Sequence, residues 1–450
     1  MRTIFNRGAV ALLNADEEAA AAAAAASNEG GEPADNANSL ETDLTEVEAS
    51  APEGDKEDAA IDEAVETKEA LEQYMAALEG YIGEGGVDAK AAHLMSIGVN
   101  FMSNRQGFRQ TERTNIATEH FAGPSSKLKA NQHALESIGE QVKKIWESIK
   151  AAIARAIAWL KEHYNKIFGA AEKLQKRATA IAEKAKNLTG SAKETKIDNE
   201  RLAKALNISG TVPTGLSAAL DKVLKVGEDS FGHTADFGAT IGQSILDGMS
   251  ETGTVDSLGT MGYGAGVLKT MAASEATAGG FDAAPENMGW FRSEELPGGK
   301  AVIARYPSST LKGQAAVDAL SKATGTVGAF NNKAPEVTKT EVPVLATAEI
   351  GKVADTVAAI AKAVIGYRAK ADKAAGLKTK ILAAADKLSK TAEKEEDKEK
   401  AAYMSATQKL ASASVNAIDK PAPQMAQYML VTGKAALDLC EESIKQYGAK

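Results

Sequence analysis

Few residues of this chain have the type and spacing that chemistry requires. Gly259-Thr260-Met261-Gly262-Tyr263-Gly264-Ala265-Gly266 has the glycine density of a phosphate-cradling loop. A dinucleotide fingerprint also needs a preceding strand, a spaced third glycine and a later acid in a βαβ unit, and those are missing. Gly298-Gly299-Lys300 lacks the Walker spacing and the following Ser or Thr. Glu119-His120 and Glu162-His163 are adjacent pairs, whereas acid–base catalysis needs two groups facing one substrate. His163 reads as the polar flank of a helix. Five histidines stand at no metal-ligand spacing, and Cys440 is the single cysteine, which excludes a Cys-based zinc cluster and an internal disulfide framework. Cys440, among apolar neighbours, reads as a small buried hydrophobe. The expectation is a non-enzyme with no catalytic, cofactor or metal site.

Two other patterns bear on function. The first is a recurrent small-aliphatic-Glu triplet: Ser39-Leu40-Glu41, Ala64-Val65-Glu66, Ala70-Leu71-Glu72, Ala77-Leu78-Glu79 and Ala134-Leu135-Glu136. Ala, Leu and Glu are good helix formers, so composition alone produces such triplets. The Ala-rich C-terminal third nevertheless contains no small-Leu-Glu. The second pattern is a run of cations: Lys143, Lys144, Lys150, Arg155, Lys161, Lys166, Lys173, Lys176, Arg177, Lys184 and Lys186. They crowd the faces opposite an apolar stripe, either as solvated helix surface or as a surface for polyanions.

The charge balance depends on where the chain is divided. The 450 residues carry 52 Lys+Arg against 61 Asp+Glu, a formal net of −9. Residues 1–79 hold 20 acids and 4 bases, a net of −16, and residues 80–450 hold 48 bases and 41 acids, a net of +7. With the boundary at Glu136 the two parts become −15 and +6. An acidic arm is thus joined to a mildly basic body. Read whole, the balance argues against nucleic acid; divided, it allows weak, sequence-independent contact with phosphates through counterion release.

The elements that must carry these residues read as follows. Residues 1–15 form a short apolar-basic start. A secretory signal needs a longer apolar core, and a mitochondrial presequence does not meet Asp16-Glu17-Glu18 so soon, so a docking tag fits best. Residues 16–136, with the boundary somewhere in 79–136, read as a disordered acidic N-terminal arm because large apolar residues are sparse. From Ile138 to Leu188 apolar or Ala positions recur at steps of three and four, a heptad-like seam that demands a partner helix. A long basic helix is therefore placed at 137–206. The candidate partner lies in the C-terminal helical region, 348–450, where Ile350 to Leu388 repeats the spacing and Lys378 breaks the stripe. Between them, 207–347 is a Gly/Thr-rich α+β insert. Short helices are expected at Leu216–Val226, Ala235–Met249 and Gly313–Ala323, and a strand at Lys300–Tyr306. The fold class is mainly α: long heptad-patterned helices forming an elongated bundle, with the insert and the arm. No stretch reaches the apolar length of a membrane span, so a soluble protein without a membrane partner is expected.

The tag, the acidic Ala-rich arm with its triplets and the Lys-rich helical body together resemble the internal head (inner body) proteins of phiKZ-like giant bacteriophages. The resemblance implies a non-enzymatic virion protein that enters the prohead core with other head core proteins. A prohead protease would remove an acidic N-terminal propeptide, and the mature protein would stay in the phage head with the DNA. Carried over, Met1 to Leu13 is the capsid-targeting tag, and Glu41, Glu66, Glu72, Glu79 and Glu136 precede candidate scissile bonds. The resemblance implies cutting after small-x-Glu, a looser pattern that Ser293-Glu294-Glu295 also fits, but this triplet sits in the insert. The eleven cations from Lys143 to Lys186 become candidate DNA-facing residues once the arm no longer masks them. The alternative is a cellular coiled-coil scaffold or stress-type helical protein with a permanent acidic tail, self-associating through the seam. An enzyme housed in the insert is a third reading without a recognisable site.

Overall fold

The computed structural model describes residues 33–84, 87, 89–105, 124–249, 254–257, 271–274, 287–307, 309, 311–330, 337, 339–392, 398–419 and 422–449. In chain order the first elements are α1 (Pro33–Gly83), α2 (Ala89–Arg105) and α3 (Pro124–Lys186). The stripe from Ile138 to Ala185 is buried along α3 as its spacing requires. At the standard rise the 63 residues of α3 extend about 95 Å. The helix begins at Pro124, 13 residues before the expected start, and ends at Lys186.

The arm is the main correction. Residues 33–83 are one 51-residue helix docked lengthwise on α3, not a disordered tail. The two run antiparallel. Ser39 meets Lys173, Ser50 meets His163, Glu57 meets Arg155, and Gly139 faces Met75. Buried or half-buried positions on α1 fall at Leu40, Leu44, Val47, Ala51, Gly54, Asp58, Ile61, Val65, Lys68, Leu71, Met75 and Leu78, at steps of three and four. The arm therefore has a seam of its own. Averaged composition hid it, because a third of those positions are small or polar and many of the residues between them are acidic. α2 packs Val99 inward and leaves Leu94, Ile97 and Phe101 exposed.

The remaining elements build the body. A two-residue strand β1 (Leu188–Thr189) and β2 (Lys196–Asp198) lead to α4 (Glu200–Leu206), capped by the Asn199 side chain, which accepts from the Leu202 N–H at 3.1 Å. In place of the two expected short helices there is one helix, α5 (Leu216–Gly248). The insert's sheet is β3 (Met271–Ser274), β4 (Met288–Ser293), β5 (Lys300–Pro307) and β6 (Thr324–Ala329), antiparallel in that order, with α6 (Gly313–Ser321) between β5 and β6. β7 (Glu341–Pro343) pairs with β2. Then follow α7 (Thr347–Gly366), α8 (Arg368–Ala392), α9 (Lys398–Asp419), α10 (Ala422–Ile444) and β8 (Gly448–Ala449), which pairs with β1. The charged run Glu393–Lys400 lies partly outside the described residues.

Two apolar cores are strung along the α1–α3 pair. One joins Leu40, Leu44 and Val47 to the C-terminal half of α3 and to α4, α5, α7 and α10. The other joins Ile61, Ala64, Leu71 and Leu78 to the N-terminal half of α3 and to α6, α8 and α9. The downstream partner expected for α3 is present as α7, whose Ile350, Val353, Val357, Ile360 and Val364 are fully buried. Lys378, which interrupts the stripe in α8, is itself buried. The seam of α3 is satisfied within one chain, by α1 and α7 together.

Candidate functional site

A belt of charged and polar contacts lies where α1 crosses the body. The middle of α1 is its weakest helix, Ala49-Ser50-Ala51-Pro52-Glu53-Gly54. An interior proline removes a backbone hydrogen bond and an interior glycine costs about 1 kcal/mol. Three side chains of α3 hold this stretch in place. The Trp159 indole N–H donates to the Ser50 carbonyl at 3.0 Å, and its ring lies against Gly54. A Cβ at Gly54 would be 2.7 Å or less from three ring carbons, so the position needs glycine. His163 stacks on Trp159 with centroids 4.7 Å apart. The Ser50 hydroxyl sits between His163 Nδ1 at 2.9 Å and the Val47 carbonyl at 3.0 Å. Arg155 reaches both carboxylate oxygens of Glu57 at 3.0 and 3.1 Å.

His163 is thus not a polar flank. It is 3% exposed, and burial, with the nearby Lys166 charge, lowers its pKa to about 4. It is neutral at physiological pH and serves the interface as a ring and a hydrogen-bonding group.

Acids of α1 meet cations of the body along its length. Asp43 bonds Lys173 at 2.6 Å, and Glu41 lies 3.7 Å from Lys434. Glu69 bonds Lys409 at 2.8 Å, which also reaches Asp318 at 3.2 Å. Burial works against the Lys409 charge, but Glu69 and Asp318 outweigh it and raise its pKa. Beside this belt Arg177 is clamped by Asp438 and Glu441, both at 2.8 Å, and Asp438 also accepts from Arg201 and Lys434. Burial opposes the charge on both Arg177 and Asp438, but the surrounding opposite charges hold Arg177 above and Asp438 below their ordinary ranges.

The eleven cations of α3 divide by partner. Arg155 and Lys173 are engaged by the arm, as above. Lys150 bonds Asp386 and Glu147, Lys166 bonds Glu162, and Lys186 bonds Glu183. Arg177 is internal. Lys143, Lys144, Lys161, Lys176 and Lys184 are exposed.

The triplets lie inside helices, not in an open tail. Those ending at Glu41, Glu66, Glu72 and Glu79 are in α1, and that ending at Glu136 is in α3. Leu40, Leu71 and Leu78, at three triplet centres, are fully buried, while Glu41, Glu66, Glu79 and Glu136 are exposed. Ser293-Glu294-Glu295 is structural: Glu294 bonds Lys222 at 2.6 Å, and Glu295 accepts from the Ser209 N–H and hydroxyl.

The other singled-out residues do not converge on a site. Gly298 and Gly299 turn with positive φ into β5, and Gly298 and Gly299 donate to the Asn207 carbonyl. Cys440 is fully buried in α10, and burial pushes its thiol pKa up. Residues 1–32, Glu119-His120 and Gly259–Gly266 lie outside the described residues. Among the described residues no group of three or more His, Cys, Asp or Glu is placed to hold a metal ion, and no helix is long and apolar enough to cross a membrane.

The family model of phiKZ-like phage internal head proteins matches residues 12–442. No curated protein and no solved structure is a significant match.

Proposed function

The chain belongs to the phiKZ-like phage internal head proteins, and from that premise we propose that it is a non-enzymatic precursor whose acidic arm is docked on a cationic body. It enters the prohead core with other head core proteins. A prohead protease cuts it after a small-x-Glu triplet, and it stays inside the capsid as a weak, sequence-independent partner of the packaged DNA. The observation that carries the masking part is the pairing of arm acids with body cations: Asp43 with Lys173, Glu57 with Arg155, Glu69 with Lys409. Each pair occupies a cation that a phosphate would otherwise meet.

Burial of three triplet centres adds a condition. A protease binds its substrate extended, so cutting inside α1 requires local unwinding or must precede docking. Pro52 and Gly54 make this stretch the intrinsically weakest part of α1, so its helical state there leans on the contacts with Trp159, His163 and Arg155.

The test neutralises the arm without removing it. In the variant Asp43→Asn/Glu57→Gln, Lys173 and Arg155 lose their carboxylate partners while the apolar seam is intact. Retardation of duplex DNA at low salt should strengthen. The slope of log affinity against log salt should steepen by about 2, at roughly 0.9 for each phosphate engaged. The control Glu46→Gln/Glu48→Gln removes the same charge from exposed positions with no ion-pair partner among the described residues. Equal behaviour of the two variants refutes masking.

A further inference from the structure

We propose that α1 stays bound to the body as a separate chain once the connection to α2 is cut, so that the groove along α3 is a docking site for this acidic helix in trans. The inference takes its occasion from the proteolytic reading above, but its physics does not depend on it. α1 touches the body along its whole length, from Leu40 to Leu78, and contributes to both apolar cores. Its ion pairs and hydrogen bonds to the body are all made through side chains of the body, far from the Glu84 turn that joins it to the rest of the chain. A severed α1 therefore keeps every partner it has when attached, so that cutting alone leaves Lys173, Arg155 and Lys409 masked and they meet phosphate only where the arm is displaced.

The positions of the triplets lead to the same result. A cut after Glu79 leaves the stripe Leu40–Leu78 uninterrupted on the released side. A cut after Glu72 removes only Met75 and Leu78 from it. A cut after Glu41 leaves Leu44 to Leu78 covalently attached. None of them divides the seam near its middle except the cut after Glu66, which still leaves Leu40 to Ala64 on one piece. Departure of α1 would bare apolar residues of α3 that face it, including Trp146 and Ile149, beside Val65 and Lys68, and Trp159, beside Gly54. The occupant that fits the groove, by apolar spacing and by charge, is this chain's own residues 33–83.

What severing takes away is the connection's effective concentration, of order millimolar for a short link. Retention at low micromolar protein is therefore the discriminating observation. The experiment inserts a recognition sequence for a site-specific protease after Glu84, in the exposed turn, in the otherwise full chain. After complete cutting the protein is passed over a sizing column with light scattering, at about 0.15 M and about 1 M salt, so that charge is screened in the second run. Both fragments should co-elute one-to-one in both runs, because the seam persists when the ion pairs are screened. The variant Leu71→Ala/Leu78→Ala should release the arm fragment after cutting, while its uncut form keeps its helical circular dichroism. Separation of the unmodified fragments overturns the proposal. So does a complex with the mass of two bodies, which would make the groove's occupant a second copy's arm. Absence of any cut chain in phage particles would overturn the proteolytic reading and leave this outcome unaffected.

Discussion

Gly54 and Gly80 lie in the same helix and differ in what faces them, which makes them a matched test of docking. A Cβ at Gly80 meets nothing within 4 Å, whereas at Gly54 it meets three carbons of the Trp159 ring at 2.7 Å or less. Gly→Ala in a helix interior gains up to about 1 kcal/mol from backbone entropy. At Gly80 this gain is unopposed. At Gly54 it is set against overpacking, which costs about 1–3 kcal/mol. The ring cannot move aside freely, because its N–H is bonded to the Ser50 carbonyl and its face is stacked on His163. Gly54→Ala should therefore lie about 1–3 kcal/mol below Gly80→Ala in stability. Urea denaturation followed by circular dichroism and tryptophan fluorescence measures the difference. In a Trp159→Phe background the Gly54 penalty should shrink, since the two residues share the contact. If both alanine variants stabilise equally, α1 is not seated on Trp159 and the docked arm is refuted.

Other outcomes follow from the same interface. The unfolded chain protonates its His163 near 6.5, whereas the folded one does so only near 4. Stability should consequently fall as pH drops between those values, by up to about 3 kcal/mol, and change no further from this source below them. His163→Gln should remove that part of the slope, read as the difference between the two proteins' pH–stability curves. Leu71→Ala, at a fully buried seam position, should cost about 2–5 kcal/mol in urea denaturation. Arg177→Ala leaves Asp438 and Glu441 without their clamp and should cost about 3 kcal/mol or more, whereas breaking the exposed Lys204–Glu200 pair should cost under about 1 kcal/mol.

Comparison of α1 with α3 explains what could be read in advance. α3 places Ile, Leu or Tyr at most seam positions and Val or Ala at the rest, so its face and its need for a partner were legible in spacing alone. The same holds for α7 and for β5, both expected close to where they lie. In α1 the seam passes through Ala51, Gly54, Asp58 and Lys68, and no apolar count over a window finds it. Gly54 serves the seam by being small, because the volume it lacks is filled by Trp159 from the other helix. Such complementarity belongs to two segments about a hundred residues apart and is invisible to either alone. The ionic part was half legible. Separation of charge between arm and body was plain, but that Glu57 would find Arg155 and Asp43 would find Lys173 depended on the antiparallel register. The buried state of His163 was missed for the same reason, since its neighbour Ser50 comes from the arm.

The most direct test of the account is the set of termini carried by this protein in purified, DNA-filled phage particles, measured by intact-mass and N-terminal analysis. The account predicts chains from the head interior that begin immediately after one of Glu41, Glu66, Glu72, Glu79 or Glu136. A Met1 start on every copy, or absence of the protein from the particles, would contradict it.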